Sequence, residues 1–165
     1  MSAPDNPLLR DDFRIPFHQI EAEHVEPGIT RALAEAQEEI DALAVDDAPP
    51  TWENTMARLD AATDRLGRRI TPARHLVSVA ETEELRSAYN QVLPEISAFW
   101  SRLPLDEELW ARVKAFSETD EARALEGVRR RHLEKTVREF QRAGADLPPE
   151  RKERLQELRV ELAKL

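Results

Sequence analysis

Apolar residues along this chain recur at alternating steps of three and four, the spacing that gathers them on one face of a helix. Ile29, Leu33, Ala36, Ile40 and Leu43 form the first stripe, and Trp52, Met56, Leu59, Thr63, Leu66 and Ile70 form the second. A third runs through Leu85, Tyr89, Val92, Ile96, Phe99 and Leu103, and a shorter fourth through Leu109, Trp110, Val113 and Phe116. Leu125, Val128, Leu133, Val137 and Phe140 make a fifth, and Leu155, Leu158, Leu162 and Leu165 carry a sixth to the final residue.

Turn and cap residues punctuate these stripes. Glu26-Pro27 predicts the start of the first helix, because a proline in the first turn lacks only an N–H that would be unpaired there. Asp46-Asp47-Ala48-Pro49-Pro50 ends that helix, and the Thr51 hydroxyl is placed to cap the next. Thr71-Pro72 predicts a break, followed by a short helical segment from Ala73 to Val79. Thr82 caps the third helix, where Pro94 predicts a kink or a lost hydrogen bond. Asp106 caps the fourth after the turn Pro104-Leu105. Asp120 opens the fifth as one long helix, and Gly144 suits its left-handed stop. No such signal follows Leu165, so the last stripe reads as a helix cut partway along its length.

Residues 1–20 read differently. Asn6-Pro7 and Ile15-Pro16 favour extended backbone, yet Leu8, Leu9, Phe13, Ile15 and Phe17 are too apolar for a free tail. The expectation is an extended N-terminal arm packed on the body, followed by a helical lobe over 21–165. The fold class is all-α, an irregular multi-helix bundle of about six or seven antiparallel helices. No period of the kind that builds a solenoid is present.

Composition narrows the function classes. A chain of 165 residues can bury roughly 70% of its unfolded surface and needs no staple. Cysteine is absent, which removes disulfides, thiolate nucleophiles and cysteine-type zinc sites and fits a reducing cytoplasm. No secretory signal precedes Pro7, and no apolar run reaches the length that spans a bilayer. A net charge of −9 argues against nucleic acid as the partner. The one basic run, Arg129-Arg130-Arg131, is flanked by Glu126 and Glu134 and reads as a solvated helix face.

Candidate chemistry is sparse. The histidines His18, His24, His75 and His132 are never three or four residues apart, so the paired imidazoles of a His-Glu-x-x-His helix are missing. Glu21 with His24 is a weak metal pair, and His132 with Glu134 diverges on a helix. Ser78 and Ser97 lack a nucleophile motif. Gly28, Gly67, Gly127 and Gly144 are too scattered for a phosphate loop. Glu83-Glu84 and Glu107-Glu108 complement helix dipoles. Trp52, Trp100 and Trp110 are expected in the core and not on a stacking surface. On the residues alone, the catalytic, cofactor-binding and metal-binding sets are all empty, and a helical interaction module that holds a partner helix is an open alternative.

Several phrases taken in order carry a resemblance. They are Asn6-Pro7-Leu8-Leu9, Ile15-Pro16-Phe17 with Ile20, Glu23-His24-Val25 with Pro27, and Thr51-Trp52-Glu53-Asn54-Thr55. Asp64-Arg65-Leu66-Gly67-Arg68 follows, then Pro72, His75-Leu76, Ser78-Val79, Glu84-Leu85-Arg86 with Ala88-Tyr89, Leu93-Pro94 and Leu147-Pro148. The chain thereby resembles, over essentially its whole length, the N-terminal helical region of the thimet oligopeptidase and peptidyl-dipeptidase family of zinc metallopeptidases. The resemblance implies a longer parent whose zinc lies in its C-terminal half, on a His-Glu-x-x-His helix with a further glutamate ligand. It implies a non-catalytic wall of a channel for short peptides, inactive alone, with the C-terminal catalytic lobe as partner and neither nucleic acid nor membrane. None of the family's zinc ligands or catalytic groups maps onto these residues. A surface that packs on such a lobe should show a large apolar patch.

Overall fold

Helix formation here depends on how each helix start satisfies the N–H groups that have no partner inside the helix. The protein is described by a computed structural model covering residues 6–11, 13–148, 150–151 and 154–155. Every regular element among the described residues is helical: α1 (Ala22–Ala44), α2 (Arg58–Val79), α3 (Glu83–Arg102), α4 (Glu107–Ser117), α5 (Asp120–Ala124) and α6 (Gly127–Ala143). Short 3₁₀ turns occupy Pro7–Leu9, Phe17–Gln19 and Leu103–Leu105, and a π-helical stretch, Trp52–Ala57, precedes α2. The all-α class therefore holds. None of the helices described is long and apolar enough to cross a membrane.

The chain folds as two compact units, one of Met1–Ala42 with Arg58–Trp100, the other of Leu43–Ala57 with Ser101–Leu165. In the first, α1 and α2 run antiparallel, because Glu35 pairs with Arg69 while Glu39, one turn on, pairs with Arg65, one turn back. Ile29, Leu33, Ala36 and Ile40 of α1 are buried, as are Leu59, Leu66 and Ile70 of α2 and Leu85, Tyr89, Val92, Ile96 and Phe99 of α3. Thr63 is only half-buried and returns its hydroxyl to the Leu59 carbonyl at 2.8 Å. In the second unit, Trp52, Met56, Leu109, Trp110, Val113, Phe116, Leu133 and Phe140 are buried.

Three helix boundaries differ from the sequence expectation. The first helix opens at Ala22, a turn before Glu26-Pro27. Its start is closed reciprocally: the Glu21 N–H donates to His24 Nδ1 at 3.0 Å, and the His24 N–H donates to the Glu21 carbonyl at 3.0 Å. Pro27 then sits inside the helix, at the cost of the one donor that would serve Glu23. Second, Thr71-Pro72 does not break α2, which continues through it to Val79. One missing donor is tolerated because the Pro72 ring is buried and its fixed φ suits a helix. Third, the helix expected from Asp120 is two helices. Thr119, not Asp120, is the N-cap, its hydroxyl accepting from the Ala122 N–H at 3.1 Å. Leu125 and Glu126 are extended and Gly127 has φ 56°, so α6 starts afresh. As a result Val128, expected inward, is 85% exposed, while Leu125 and Val137 are half-buried.

Other signals hold. Thr82 accepts from the Leu85 N–H at 3.2 Å and Asp106 from the Leu109 N–H at 2.8 Å. Pro94 lies inside α3 on its exposed side, where water can serve the Asn90 carbonyl that it leaves without a donor. Gly144 has φ 101°, with its N–H on the Gln141 carbonyl and the Ala145 N–H on that of Phe140, both at 3.0 Å, a Schellman stop. Of the last stripe, Leu158, Leu162 and Leu165 lie outside the described residues.

Within the first unit the arm is tied down near its start. The Asn6 side chain accepts from the Leu8 N–H at 3.0 Å and donates from Nδ2 to the His24 carbonyl at 2.8 Å. Leu8 and Ile20 are buried. A Cβ added at Gly28 would lie 2.8 Å from Asn6 Nδ2, so only glycine admits the arm this closely. Gly28→Ala should therefore cost about 1–3 kcal/mol in urea denaturation. In the Asn6→Ala background the same substitution should cost clearly less, and equal costs in both backgrounds would refute the contact.

Candidate functional site

The arm and α2 enclose a groove of about 640 Å³ in the first unit. Phe13, Ile15 and Pro72 give it an apolar lining, and Arg10, Asp11, Asp64 and Arg68 give it charges of both signs. The groove is open beside Gly67, where an added Cβ would meet nothing within 4 Å. Arg68 is held by Asp64 one turn earlier on α2, at 2.6 Å. Phe17 continues the apolar line, its ring 5.6 Å from that of His75.

Arg69 also lines this groove but turns its guanidinium to Glu35. Glu35 is shared, because Arg31 Nε donates to its Oε1 at 2.8 Å while Arg69 Nη1 donates to its Oε2. Hydrogen bonds from Arg69 and then Arg31 hold the Glu35 carboxyl below the usual glutamate pKa, against a smaller upward push from burial. Burial raises the Tyr89 pKa, with the Arg74 charge opposing. These are effects of packing and pairing.

The second unit concentrates its polar contacts around Trp52. Thr51 and Asn54 cap reciprocally: the Asn54 N–H donates to Thr51 Oγ1 at 3.2 Å and the Thr51 N–H to Asn54 Oδ1 at 2.7 Å. Asn54 Nδ2 also donates to the Pro49 carbonyl at 3.0 Å, and the fully buried Thr55 hydroxyl donates to Asn54 Oδ1 at 3.0 Å. This closure initiates the π-helical stretch, a form often found at functional positions. Trp52 meets Phe116 and His132 edge-on at 6.4 and 6.0 Å, with the Arg129 guanidinium 5.0 Å from its ring centre. Arg112, 6% exposed at its side chain, donates to the Asp46 and Ala48 carbonyls and lies 3.2 Å from Asp46 Oδ2, fixing the loop before Thr51.

The residues with candidate chemistry are thus distributed through the architecture. His24 closes α1, His18 contacts the Gln19 amide, His75 packs on Phe17 and His132 on Trp52. Among the described residues no three His, Asp or Glu side chains approach closely enough to hold a metal ion. Ser78 back-bonds to the Arg74 carbonyl at 3.0 Å. Arg129, Arg130 and Arg131 are exposed, Arg129 pairing with Glu53 and Arg130 with Glu134. Trp52 and Trp110 are buried as expected, whereas Trp100 is 40% exposed. Hydrophobic patterning gives no sign of the roles of Asn6, Glu35, Glu39, Arg65, Arg69 and Arg112. The four-residue spacing of both Glu35/Glu39 and Arg65/Arg69 is the one signal in the sequence for the α1–α2 pairs.

Residues 29–152 match the family model for the neurolysin/thimet oligopeptidase N-terminal domain. The chain is 34% identical over 160 residues to oligopeptidase A of Escherichia coli and, at the same level, to oligopeptidase A of Salmonella typhimurium. It is 29% identical over 150 residues to a dipeptidyl carboxypeptidase of Escherichia coli. The two oligopeptidase A alignments cover 97% of this chain but only 24% of each relative.

Two stability measurements test this geometry. Glu35 has a depressed folded-state pKa, so its stabilisation is full above the unfolded glutamate pKa of about 4.3 and is lost as pH falls through the lower folded value. Glu35→Gln should lower the urea midpoint at pH 7, and the gap from the parent should close below that window; a gap constant from pH 7 to pH 3 would contradict the pairing. Arg112→Ala should cost about 1–3 kcal/mol, since it leaves the Asp46 and Ala48 carbonyls without their donor and the part-buried Asp46 carboxylate without its cation. A loss under 1 kcal/mol would show that the loop holds without it.

Proposed function

Because the chain belongs to the neurolysin/thimet oligopeptidase family, whose N-terminal domain it carries, we propose that it is the non-catalytic helical part of a zinc-dependent oligopeptidase. In this reading it forms one wall of a channel that admits short peptides, in the cytoplasm. A catalytic portion outside these residues holds the zinc and cleaves the peptide. The observation that carries the reading is the asymmetry of coverage, nearly all of this chain against a quarter of its relatives.

The described residues do not fit a zinc site. His24 uses Nδ1 to accept from the Glu21 N–H, and the remaining histidines lie in separate contacts. What the chain supplies is rigidity: the Glu35–Arg69 and Glu39–Arg65 pairs hold α1 against α2, and capped helix starts keep the wall ordered. A wall excludes folded substrates by shape and contributes to catalysis by positioning. Hydrolysis itself belongs to metal-assisted chemistry elsewhere.

The test pairs this chain with the longest native polypeptide that contains it. The longer chain should carry a His-Glu-x-x-His helix, bind one zinc and cleave a short quenched peptide, with activity lost on chelation. The 165-residue chain should do neither. Stoichiometric zinc and cleavage by the 165 residues alone would reject the proposal. So would a longer chain without zinc-dependent peptidase activity.

A further inference from the structure

The arm holds its apolar residues in an unusual way. Its start is buried through Leu8 and its end through Ile20, and Arg10 Nη1 donates across the intervening segment to Gln19 Oε1 at 3.2 Å. Between those anchors Phe13 is 102% exposed, Ile15 46% and Phe17 38%. Phe13 and Ile15 both line the groove against α2, and Phe17 lies in the 3₁₀ turn that follows them. A tethered backbone therefore presents three large apolar side chains to water beside the open Gly67–Pro72 side of α2. Such a patch marks a surface that another body covers.

We propose that this strip is the docking face for the catalytic portion of the longer polypeptide, which covers Phe13 and Ile15 within the same molecule. The proposal rests on the function argued above and adds the surface through which the two portions meet. The chain spans only 24% of the length of its oligopeptidase A relatives, so most of a family-length polypeptide is available to cover the strip. Covalent linkage gives that portion an effective concentration of about a millimolar, far above that of a second copy. A peptide substrate binds transiently and would leave the strip in water between turnovers. The groove's mixed charges, Arg10 and Arg68 with Asp11 and Asp64, favour neither a strongly acidic nor a strongly basic ligand.

The absence of cysteine allows a direct test, with Phe13→Cys and Ile15→Cys made separately in the 165-residue chain and in the longest native polypeptide. Thiol labelling is followed site by site by peptide mass spectrometry, with the urea-unfolded form of each variant as the rate reference. Both thiols should label in the 165-residue chain at close to the unfolded rate. In the longer polypeptide they should label at least about thirtyfold more slowly. Fast labelling of both in a longer chain that retains zinc and peptidase activity would overturn the docking face and leave the proposed function standing. Protection that deepens with concentration in the 165-residue chain would assign the strip to a second copy and overturn it. Protection seen only with added peptide would assign the strip to substrate and overturn it likewise. Protection without zinc-dependent cleavage would keep the covered face and reject the catalytic portion as its cover. A native polypeptide ending at Leu165 would overturn both.

Discussion

Closing the N-terminal ends of helices with side chains is the constraint on which the rest of this structure depends. A helix leaves its first N–H groups without internal partners, and a bundle cannot bury those ends unsatisfied. Here Asn6, His24, Thr51 with Asn54, Thr82, Asp106 and Thr119 each supply a side-chain acceptor at a turn or helix start. Three of the phrases that carry the family resemblance contain such acceptors: Asn6-Pro7-Leu8-Leu9, Glu23-His24-Val25 and Thr51-Trp52-Glu53-Asn54-Thr55. Thr51 caps as its place in the sequence predicts, while Asn6 and His24 serve as acceptors that the sequence pattern does not mark.

The charged residues follow the same logic. The α1–α2 pairs use an acidic spacing of four against a basic spacing of four, so two helices are held in one register. Arg112 carries a buried charge into the second unit, where backbone carbonyls and Asp46 answer it. An unpaired charge at that depth would cost several kcal/mol, roughly, so the loop geometry and the arginine depend on each other. The proposed wall would depend on such fixed positions more than on any single side chain.

Periodicity made the helices and most of the core legible. Ile29, Leu33, Ala36 and Ile40, or Leu109, Val113 and Phe116, are buried as their spacing requires. Boundaries were harder where proline was the cue. Pro27 and Pro72 each remove one donor, but a reciprocal cap upstream and a buried ring outweigh that loss. At Gly127 the opposite holds: a two-residue extended break lies where one helix was expected, and the five-residue step from Val128 to Leu133 already departs from the three-and-four spacing. The groove was not legible at all. It brings Arg10, Asp11, Phe13 and Ile15 of the arm beside Asp64, Gly67 and Pro72 of α2, segments distant in sequence. The arm's exposed strip also reverses part of the expectation, since Phe13 faces water while Leu8 is buried.

The division into two units bears on how the chain is synthesised. Neither unit is continuous: the chain leaves the first after Ala42, returns at Arg58 and leaves it again after Trp100. During translation the first unit is complete once Trp100 has emerged. The Leu43–Ala57 segment, with Trp52, Thr55 and Met56 destined for burial, has left the ribosome by then. Its partners Phe116 and His132 have not yet been made. At roughly 5–20 residues per second, the interval lasts a few seconds. The reciprocal Thr51–Asn54 cap is local in sequence and can form throughout that interval. It would bias the waiting apolar segment toward helix before its core exists.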